Sequence, residues 1–160
     1  MRKKKHTKRN TNWSCAVGGV VLRGNEILLV RHTYGAAKGQ LLIPGGHLNH
    51  SEMPEAAIVR EIYEETGVTA VVKGLLGVRF RAKNWYAIFL LDYLSGEPKS
   101  DDDENNFTGF IALEEAMRRE DLTEISKYII ETVINGIELI PLNDFYARDD
   151  SENRLHGLNR

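Results

Sequence analysis

The sequence predicts an α/β fold in which a mixed β-sheet packs against helices. Strand-like apolar runs alternate with turn residues along most of the chain, and two segments carry helical patterns. One helix is expected in the middle of the chain and the other near the end of the domain. The chain has 160 residues, 42% of them hydrophobic, which is enough for one compact domain with its own core.

Short apolar runs account for the predicted sheet. Residues 13–22 and 27–32 are separated by the turn sequence Arg23-Gly24-Asn25-Glu26, so they predict a hairpin. A glycine-bearing loop, 33–40, follows, and Pro44-Gly45-Gly46 is expected to break the next short strand. The other predicted strands are 41–43, 68–81 (one bent strand or two short ones), 85–94 and 107–113, with a polar loop at 95–106.

The central helix is predicted from Pro54 to Thr66 because both of its ends carry typical signals. Ser51 is the expected N-cap, and proline is tolerated in the first helical turn. Gly67 is the expected stop, since glycine adopts the left-handed conformation cheaply. The second helix, 123–134, carries its aliphatic residues along one stripe and follows a helical start at 114–119.

Carboxylates are concentrated on one face of the central helix. Glu61 lies three residues before Glu64 and four before Glu65, spacings that bring side chains together. Like charges so close should require a cation, and oxygen ligands suit Mg²⁺ or Mn²⁺ better than zinc. Arg60 is placed to reach back to Glu52 and fix the preceding loop. The alternative is an ordinary helix with a glutamate-rich face towards solvent.

The same carboxylates belong to a longer pattern over residues 46–68. A glycine is followed, after five residues, by a glutamate and, after seven more, by Arg-Glu-aliphatic-any-Glu-Glu-any-Gly-aliphatic. The fixed positions are Gly46, Glu52, Arg60, Glu61, Ile62, Glu64, Glu65, Gly67 and Val68. This pattern resembles the signature of the Nudix hydrolase family. The resemblance implies a Nudix-type α/β/α sandwich with a mixed β-sheet and hydrolysis of a nucleoside diphosphate linked to another group.

The resemblance also implies roles for individual residues. The metal-binding positions are Glu61, Glu64, Glu65 and the carbonyl of Gly45, with Mg²⁺ or Mn²⁺ as the expected cofactor. One of these glutamates, Glu61 or Glu64, would also act on the attacking water, with Arg60 and Glu52 orienting the site. Many relatives supply a further carboxylate from the region of the acidic run 101–104. Glu104 is the expected one here, unless this run is only a solvated loop.

Four residues outside the signature are the predicted substrate contacts. Arg31, Arg79 and Arg81 would bind phosphate or else face solvent, and Trp85 would stack on a base or belong to the core. The sequence lacks the downstream proline of ADP-ribose-cleaving relatives, which favours a nucleoside triphosphate as substrate. ADP-ribose or another conjugate is the alternative, as is a nucleotide-sensing domain without catalysis. An isoprenoid diphosphate isomerase is disfavoured because Cys15 is remote from the signature.

Charge and composition constrain partners and location. Residues 1–10 carry six Lys or Arg, whereas the other 150 residues carry 15 basic against 23 acidic groups, a net charge of −8. This distribution argues against a broad nucleic-acid-binding face. No run approaches the ~20 apolar residues of a membrane span, and a single cysteine fits a cytoplasmic protein.

We expect a Nudix domain at 12–142 between a flexible basic tail, 1–11, and a polar tail, 143–160. A small nucleotide is the expected binding partner, and the sequence leaves open whether the chain forms a homodimer.

Overall fold

A seven-stranded mixed sheet lies at the centre of the computed structural model, which describes residues 13–143 and 155–157. Its strands are β1 Ser14–Arg23, β2 Glu26–His32, β3 Leu41–Leu42, β4 Gly45–His47, β5 Thr69–Arg81, β6 Asn84–Ser95 and β7 Asn105–Ala112. The helices are α1 Pro54–Thr66, α2 Leu113–Arg118 and α3 Glu124–Asn135. A separate antiparallel ribbon joins β8 Leu142–Asn143 to β9 Leu155–His156.

The sheet combines parallel and antiparallel pairs. Its main order is β3-β2-β1-β6-β5, while β4 pairs with β1 and β7 pairs with β2. β1 and β6 run parallel from the Ser14–Asn84 pair to the Leu22–Asp92 pair, and the other neighbours are antiparallel. The parallel pair is possible because the segment from β2 to β5, which includes α1, is the long connection that parallel strands need.

Alternate residues of the strands face two separate cores. In β1, Val17 and Val21 pack on the side of α1 with Ile58, whereas Val20 packs on the opposite side with Ile130 of α3. All five side chains are fully buried, and burying a side chain of this size stabilises a fold by about 1.5–3 kcal/mol. Helices therefore cover both faces of a mixed sheet, which confirms the predicted α/β/α sandwich.

The local predictions hold for most elements but fail around the start of α1. β5 is a single strand with three irregularities, as the bent-strand prediction allowed. The Ser51 N-cap prediction is wrong, because Ser51 lies in a turn with φ of 60° and Met53 occupies the cap without a side-chain bond. Gly45 and Gly46 do not merely break a strand, since they form β4 by pairing with β1.

Part of the predicted tails can be compared with the structure. Residues 1–11 lie outside the described residues, as do 144–154 and 158–160. Within this predicted tail, Leu155 and His156 pair with Asn143 and Leu142 in the small ribbon. Among the helices of the described residues, none combines the length and the apolar character that a membrane crossing requires. The domain bounds of 12–142 stay a prediction.

Candidate active site

The last two turns of α1 present three glutamates at increasing depth. The side chain of Glu64 is 57% exposed, that of Glu61 is 14% exposed and that of Glu65 only 4%. The helix ends immediately afterwards at Gly67, whose φ of 69° is left-handed and whose N–H donates to the carbonyl of Tyr63. Because glycine adopts this conformation without strain, the sequence fixes the end of the helix just after its carboxylates.

The buried carboxylate of Glu65 joins α1 to the glycine strand β4. Its Oε2 accepts a hydrogen bond of 3.0 Å from the backbone N–H of Gly45. A Cβ on Gly45 would overlap the carbonyl oxygen of Val17, so only glycine lets β4 lie this close to β1. On the other side, Nε2 of His32 lies 3.6 Å from Oε1 of Glu65. Glu65 is therefore held between two strands.

Glu61 lies directly against the second glycine of β4. A Cβ on Gly46 would overlap the Glu61 carboxylate, so a side chain at this position would displace it. Burial raises the pKa of Glu61, hydrogen bonding and attraction from Arg60 oppose the rise, and the neighbouring charges of Glu65 and Glu64 add to it. The glycines that the sequence pattern contains thus bring backbone close to two carboxylates.

Arg60 links the carboxylates to the loop before the helix. Its guanidinium forms a two-bond fork with Glu52, at 2.8 and 2.9 Å, as the sequence predicts. Nη1 also donates to Glu61 at 2.8 Å and to Glu64 at 2.9 Å, and Nη2 donates to the carbonyl of His47 at 3.0 Å. Hydrogen bonds from Arg60 and then from the Asn49 amide lower the pKa of Glu52 to about 2.

These groups line one open cleft of about 620 Å³. The loop before β7 adds further acids, so that six carboxylates surround the cleft. Its lining residues are Tyr34, Gly45, Gly46, His47, Asn49, Glu61, Glu64, Glu65, Asp101, Asp103 and Glu104. Such a concentration of negative charge is costly unless a cation or a strongly basic group compensates it.

The donor chemistry of the cleft fits a hard divalent cation. Its candidate ligands are carboxylate and carbonyl oxygens, which Mg²⁺ and Mn²⁺ prefer. Within residues 13–143 and 155–157, no three acidic, histidine or cysteine side chains already surround a common ion position. Nη1 of Arg60 lies between Glu61 and Glu64. These bonds use Oε1 of Glu61 and Oε2 of Glu64, so each carboxylate keeps a second oxygen with which it could bind an ion.

Comparison with known proteins agrees with the geometry of this site. Residues 14–133 match the NUDIX domain. The chain belongs to the NUDIX domain family. An ADP-ribose pyrophosphatase from Methanocaldococcus jannaschii is 40% identical over 94 residues, which are 55% of this chain and 56% of that protein. The 8-oxo-dGTP diphosphatase of Escherichia coli is 42% identical over 55 residues, 34% of this chain and 43% of the relative.

Solved structures of NUDIX proteins share the fold. The crystal structure of a MutT NUDIX hydrolase from Burkholderia pseudomallei has a TM-score of 0.67 and 28% identity, covering 75% of this chain and 97% of that one. A NUDIX hydrolase from Nitrosomonas europaea gives 0.71 at 22% identity, covering 87% and 99%. The chain spans between 29% and 56% of the length of the curated relatives that it matches.

The predicted NUDIX site residues that line the cleft are Gly45, Glu61, Glu64, Glu65 and Glu104. Arg60 and Glu52 are connected to it through the hydrogen bonds of Arg60, and the predicted substrate contacts do not line it. Arg31 donates to Asp121 at 2.8 Å, and Arg79 lies 5.1 Å from the centre of the Tyr86 ring. Arg81 is exposed at the end of β5. Trp85 lines an apolar cavity of about 280 Å³ beside the start of α1. Their roles in binding substrate stay predictions.

Sequence reasoning assigned no individual role to four residues that line the cleft: Tyr34, Asn49, Asp101 and Asp103. Tyr34 is half-exposed, and its hydroxyl lies 3.4 Å from the Glu104 carboxylate. Burial and the charges of Glu104 and Glu65 raise the pKa of Tyr34. Asp101 and Asp103 complete the acidic lining. The glycine-bearing loop and the acidic run were visible in the sequence, but nothing local indicated which side chains would turn towards α1.

Proposed function

We propose that this NUDIX protein hydrolyses a diphosphate linkage in a nucleoside diphosphate derivative, with the help of a divalent cation. The observation that carries the proposal is that Glu61, Glu64 and Glu65, the glycine backbone of β4 and the acidic loop line one open cleft. An arrangement of oxygen ligands on a rigid helix suits an ion that is shared with substrate phosphates.

The ligands that we propose for Mg²⁺ or Mn²⁺ are Glu61, Glu64, Glu65 and the carbonyl of Gly45. When bound, the cation would neutralise charge on the diphosphate and lower the pKa of a water molecule. Glu104 reaches the same cleft from the loop side and is proposed as the further carboxylate.

The two catalytic carboxylates differ in the access that water has to them. Glu64 is mostly exposed and can meet a water molecule and a bound substrate directly. Glu61 is mostly buried, and burial raises its pKa, which favours acceptance of a proton. Arg60 and Glu52 orient both groups through the hydrogen bonds described above. The choice between Glu61 and Glu64 as the base is decided by comparing the pH profiles of their glutamine variants.

Two substrates are supported by separate observations. The sequence favours a nucleoside triphosphate, and similarity to an 8-oxo-dGTP diphosphatase supports that choice. The longer match is with an archaeal ADP-ribose pyrophosphatase, which supports ADP-ribose. Both contain the diphosphate that the cleft would have to bind, so the two candidates share the first chemical step and differ in the group beyond it.

A substrate panel with Mg²⁺ or Mn²⁺ tests the proposal. It should contain ADP-ribose, ordinary and oxidised nucleoside triphosphates, dinucleoside polyphosphates and nucleotide sugars, with products separated by chromatography. We expect hydrolysis that stops on chelation and falls by about 100-fold or more in Glu64→Gln, the range of a lost acid–base group. Folded protein that binds nucleotide but hydrolyses nothing would replace this proposal with the nucleotide-sensing alternative.

The chain offers a matched control for the glutamate variant. Glu114 lies four residues from Arg118 on α2, the same spacing that separates Glu64 from Arg60 on α1. Glu114 is 77% exposed and does not line the cleft. Glu114→Gln should therefore keep full activity. A comparable loss of activity in both variants would show that the loss comes from removing a negative charge anywhere on the protein, and not from changing the cleft.

A further inference from the structure

The loop before β7 is bound to the end of α1 by a buried amide. Asn105 is completely buried, and its Nδ2 donates a hydrogen bond of 2.9 Å to the backbone carbonyl of Glu65. Its Oδ1 accepts from the hydroxyl of Thr108 at 2.9 Å. The carbonyl of Thr66 next along the helix accepts from the N–H of Lys99. These carbonyls belong to the last turn of α1, where a helix leaves its acceptors unsatisfied.

One carboxylate oxygen organises the turn that carries Glu104. Oδ1 of Asp101 accepts hydrogen bonds from the backbone N–H groups of Asp103, Glu104 and Asn105, each at 3.0 Å. Asp102 inside this turn has a φ of 60°, a left-handed conformation that is uncommon outside glycine but that aspartate tolerates in turns. The side chain of Asp101 is thus the centre around which the backbone of residues 102–105 is folded.

The residues just after β2 hold the same turn from the other side. The N–H of Thr33 donates to the carbonyl of Glu104 at 3.0 Å, and its hydroxyl donates to the carbonyl of Asp103 at 2.6 Å. The hydroxyl of Tyr34 lies 3.4 Å from the Glu104 carboxylate. Three sets of hydrogen bonds therefore hold the turn: those to Asp101 within it, that of Asn105 to α1, and those of Thr33, the residue after β2.

We infer that Asp101 and Asn105 are positioning residues that hold the Glu104 carboxylate at the acidic cleft. Asn105 follows Glu104 in the chain and binds the backbone of Glu65, so one side chain connects two of the proposed metal ligands. Asp101 fixes the backbone from which Glu104 projects. The expected effect on kcat rests on the proposed function of the cleft, whereas the expected effect on the order of the loop does not depend on that function.

Asp101 lines the cleft itself, so a direct role for its charge is the competing explanation. Substituting Asp101 by asparagine and by alanine distinguishes positioning from a direct role of the charge. Both variants lose the charge, but Asp101→Asn keeps an acceptor oxygen for the three N–H groups and Asp101→Ala removes it. Asp101→Ala should lower kcat by about 10- to 100-fold, the usual loss for groups that orient metal ligands, and Asp101→Asn by only a few-fold. Equal losses in both variants would overturn the inference in favour of charge.

A double-mutant cycle shows whether Asp101 acts through Glu104. In a Glu104→Gln background, the additional Asp101→Ala change should have little further effect on kcat, because the carboxylate that it positions is already gone. Losses that multiply would contradict the inference. Asp103→Ala is the matched control: among the described residues its side chain accepts no hydrogen bond, so removing this carboxylate should cost less activity than Asp101→Ala.

Amide hydrogen exchange of the metal-free protein tests the positioning without any turnover. Asp101→Ala should accelerate exchange at Glu104 and Asn105 by about fivefold or more, the factor for a lost hydrogen bond, and Asp101→Asn should accelerate it much less. Asn105→Ala should loosen the whole loop while α1 keeps its protection. Unchanged exchange in Asp101→Ala would overturn the inference even in an active enzyme. An inactive wild-type protein with the expected exchange would count against the proposed function alone.

Discussion

Replacing Arg60 with lysine would measure how strongly its guanidinium holds the site together. Arg60 makes five hydrogen bonds, two to Glu52 and one each to Glu61, Glu64 and the carbonyl of His47. A lysine ammonium keeps the charge but cannot bind both Glu52 oxygens and reach two further glutamates from one atom. We expect two or three of these bonds to be lost.

The magnitude follows from the number and exposure of the lost bonds. Each is worth about 0.5–1.5 kcal/mol net, so two or three lost bonds give about 1–4.5 kcal/mol before solvent screening is considered. The Arg60 side chain is 25% exposed, so screening reduces the expected loss of unfolding free energy to about 1–2 kcal/mol. For a domain of this size, such a loss corresponds to a fall in Tm of about 2–8 °C. The kcat should fall as well, because Glu61 and Glu64 lose an orienting partner.

Thermal unfolding of the metal-free protein and steady-state kinetics together test this reasoning. Arg118→Lys is the control, since Arg118 and Glu114 form a pair whose side chains are 78% and 77% exposed. That change should alter stability by less than about 0.5 kcal/mol, as exposed pairs contribute little. If Arg60→Lys unfolded at the same temperature as the control and kept its kcat, the guanidinium network would not hold the site.

Three further predictions concern the same segment. Gly46→Ala should lower kcat far more than it lowers Tm, because the added Cβ would displace the Glu61 carboxylate; equal activity in steady-state assays would exclude that contact. Gly67→Ala should lower the free energy of unfolding by about 1 kcal/mol, measured in urea, because φ is 69°; no loss would mean that the helix ends differently. The folded pKa of Glu52 is about 2, below its ordinary value of 4.5, so its contribution is complete above pH 4.5 and is lost as pH falls towards 2. Unfolding measured across this range should show a smaller fall in Glu52→Gln, and an identical fall would show that Glu52 is not stabilised by Arg60.

Some of the site could be predicted because its causes are local. The spacing of Glu61, Glu64 and Glu65 is a property of any α-helix, and Gly67 ends the helix through its own backbone preference. The start of α1 was less predictable. Ser51 has the chemistry of an N-cap, but Pro54 begins the helix and leaves Met53 at the cap position. A preference for a cap residue does not decide which of several neighbouring positions becomes the cap.

Contacts between distant segments account for what the sequence did not show. Arg31 pairs with Asp121, ninety positions further along the chain, and therefore does not face the cleft in the described structure. Pro44-Gly45-Gly46 has the composition of a strand breaker, yet Gly45 and Gly46 pair with β1 because the glycines allow backbone to approach closely. Neither contact can be predicted from the periodicity of apolar residues or from the turn preferences of single residues.

The sequence by itself determined the helix that carries the carboxylates, the alternation of the strands and the family signature. These depend on spacings of a few residues and on the backbone preferences of glycine and proline. Only the tertiary structure decided that the acidic loop, through Asp101 and Asn105, meets the end of α1, and that Tyr34 joins it there. These contacts depend on how the layers of the fold pack and on which buried polar groups form hydrogen bonds with each other. The order of residues along the chain does not contain that information.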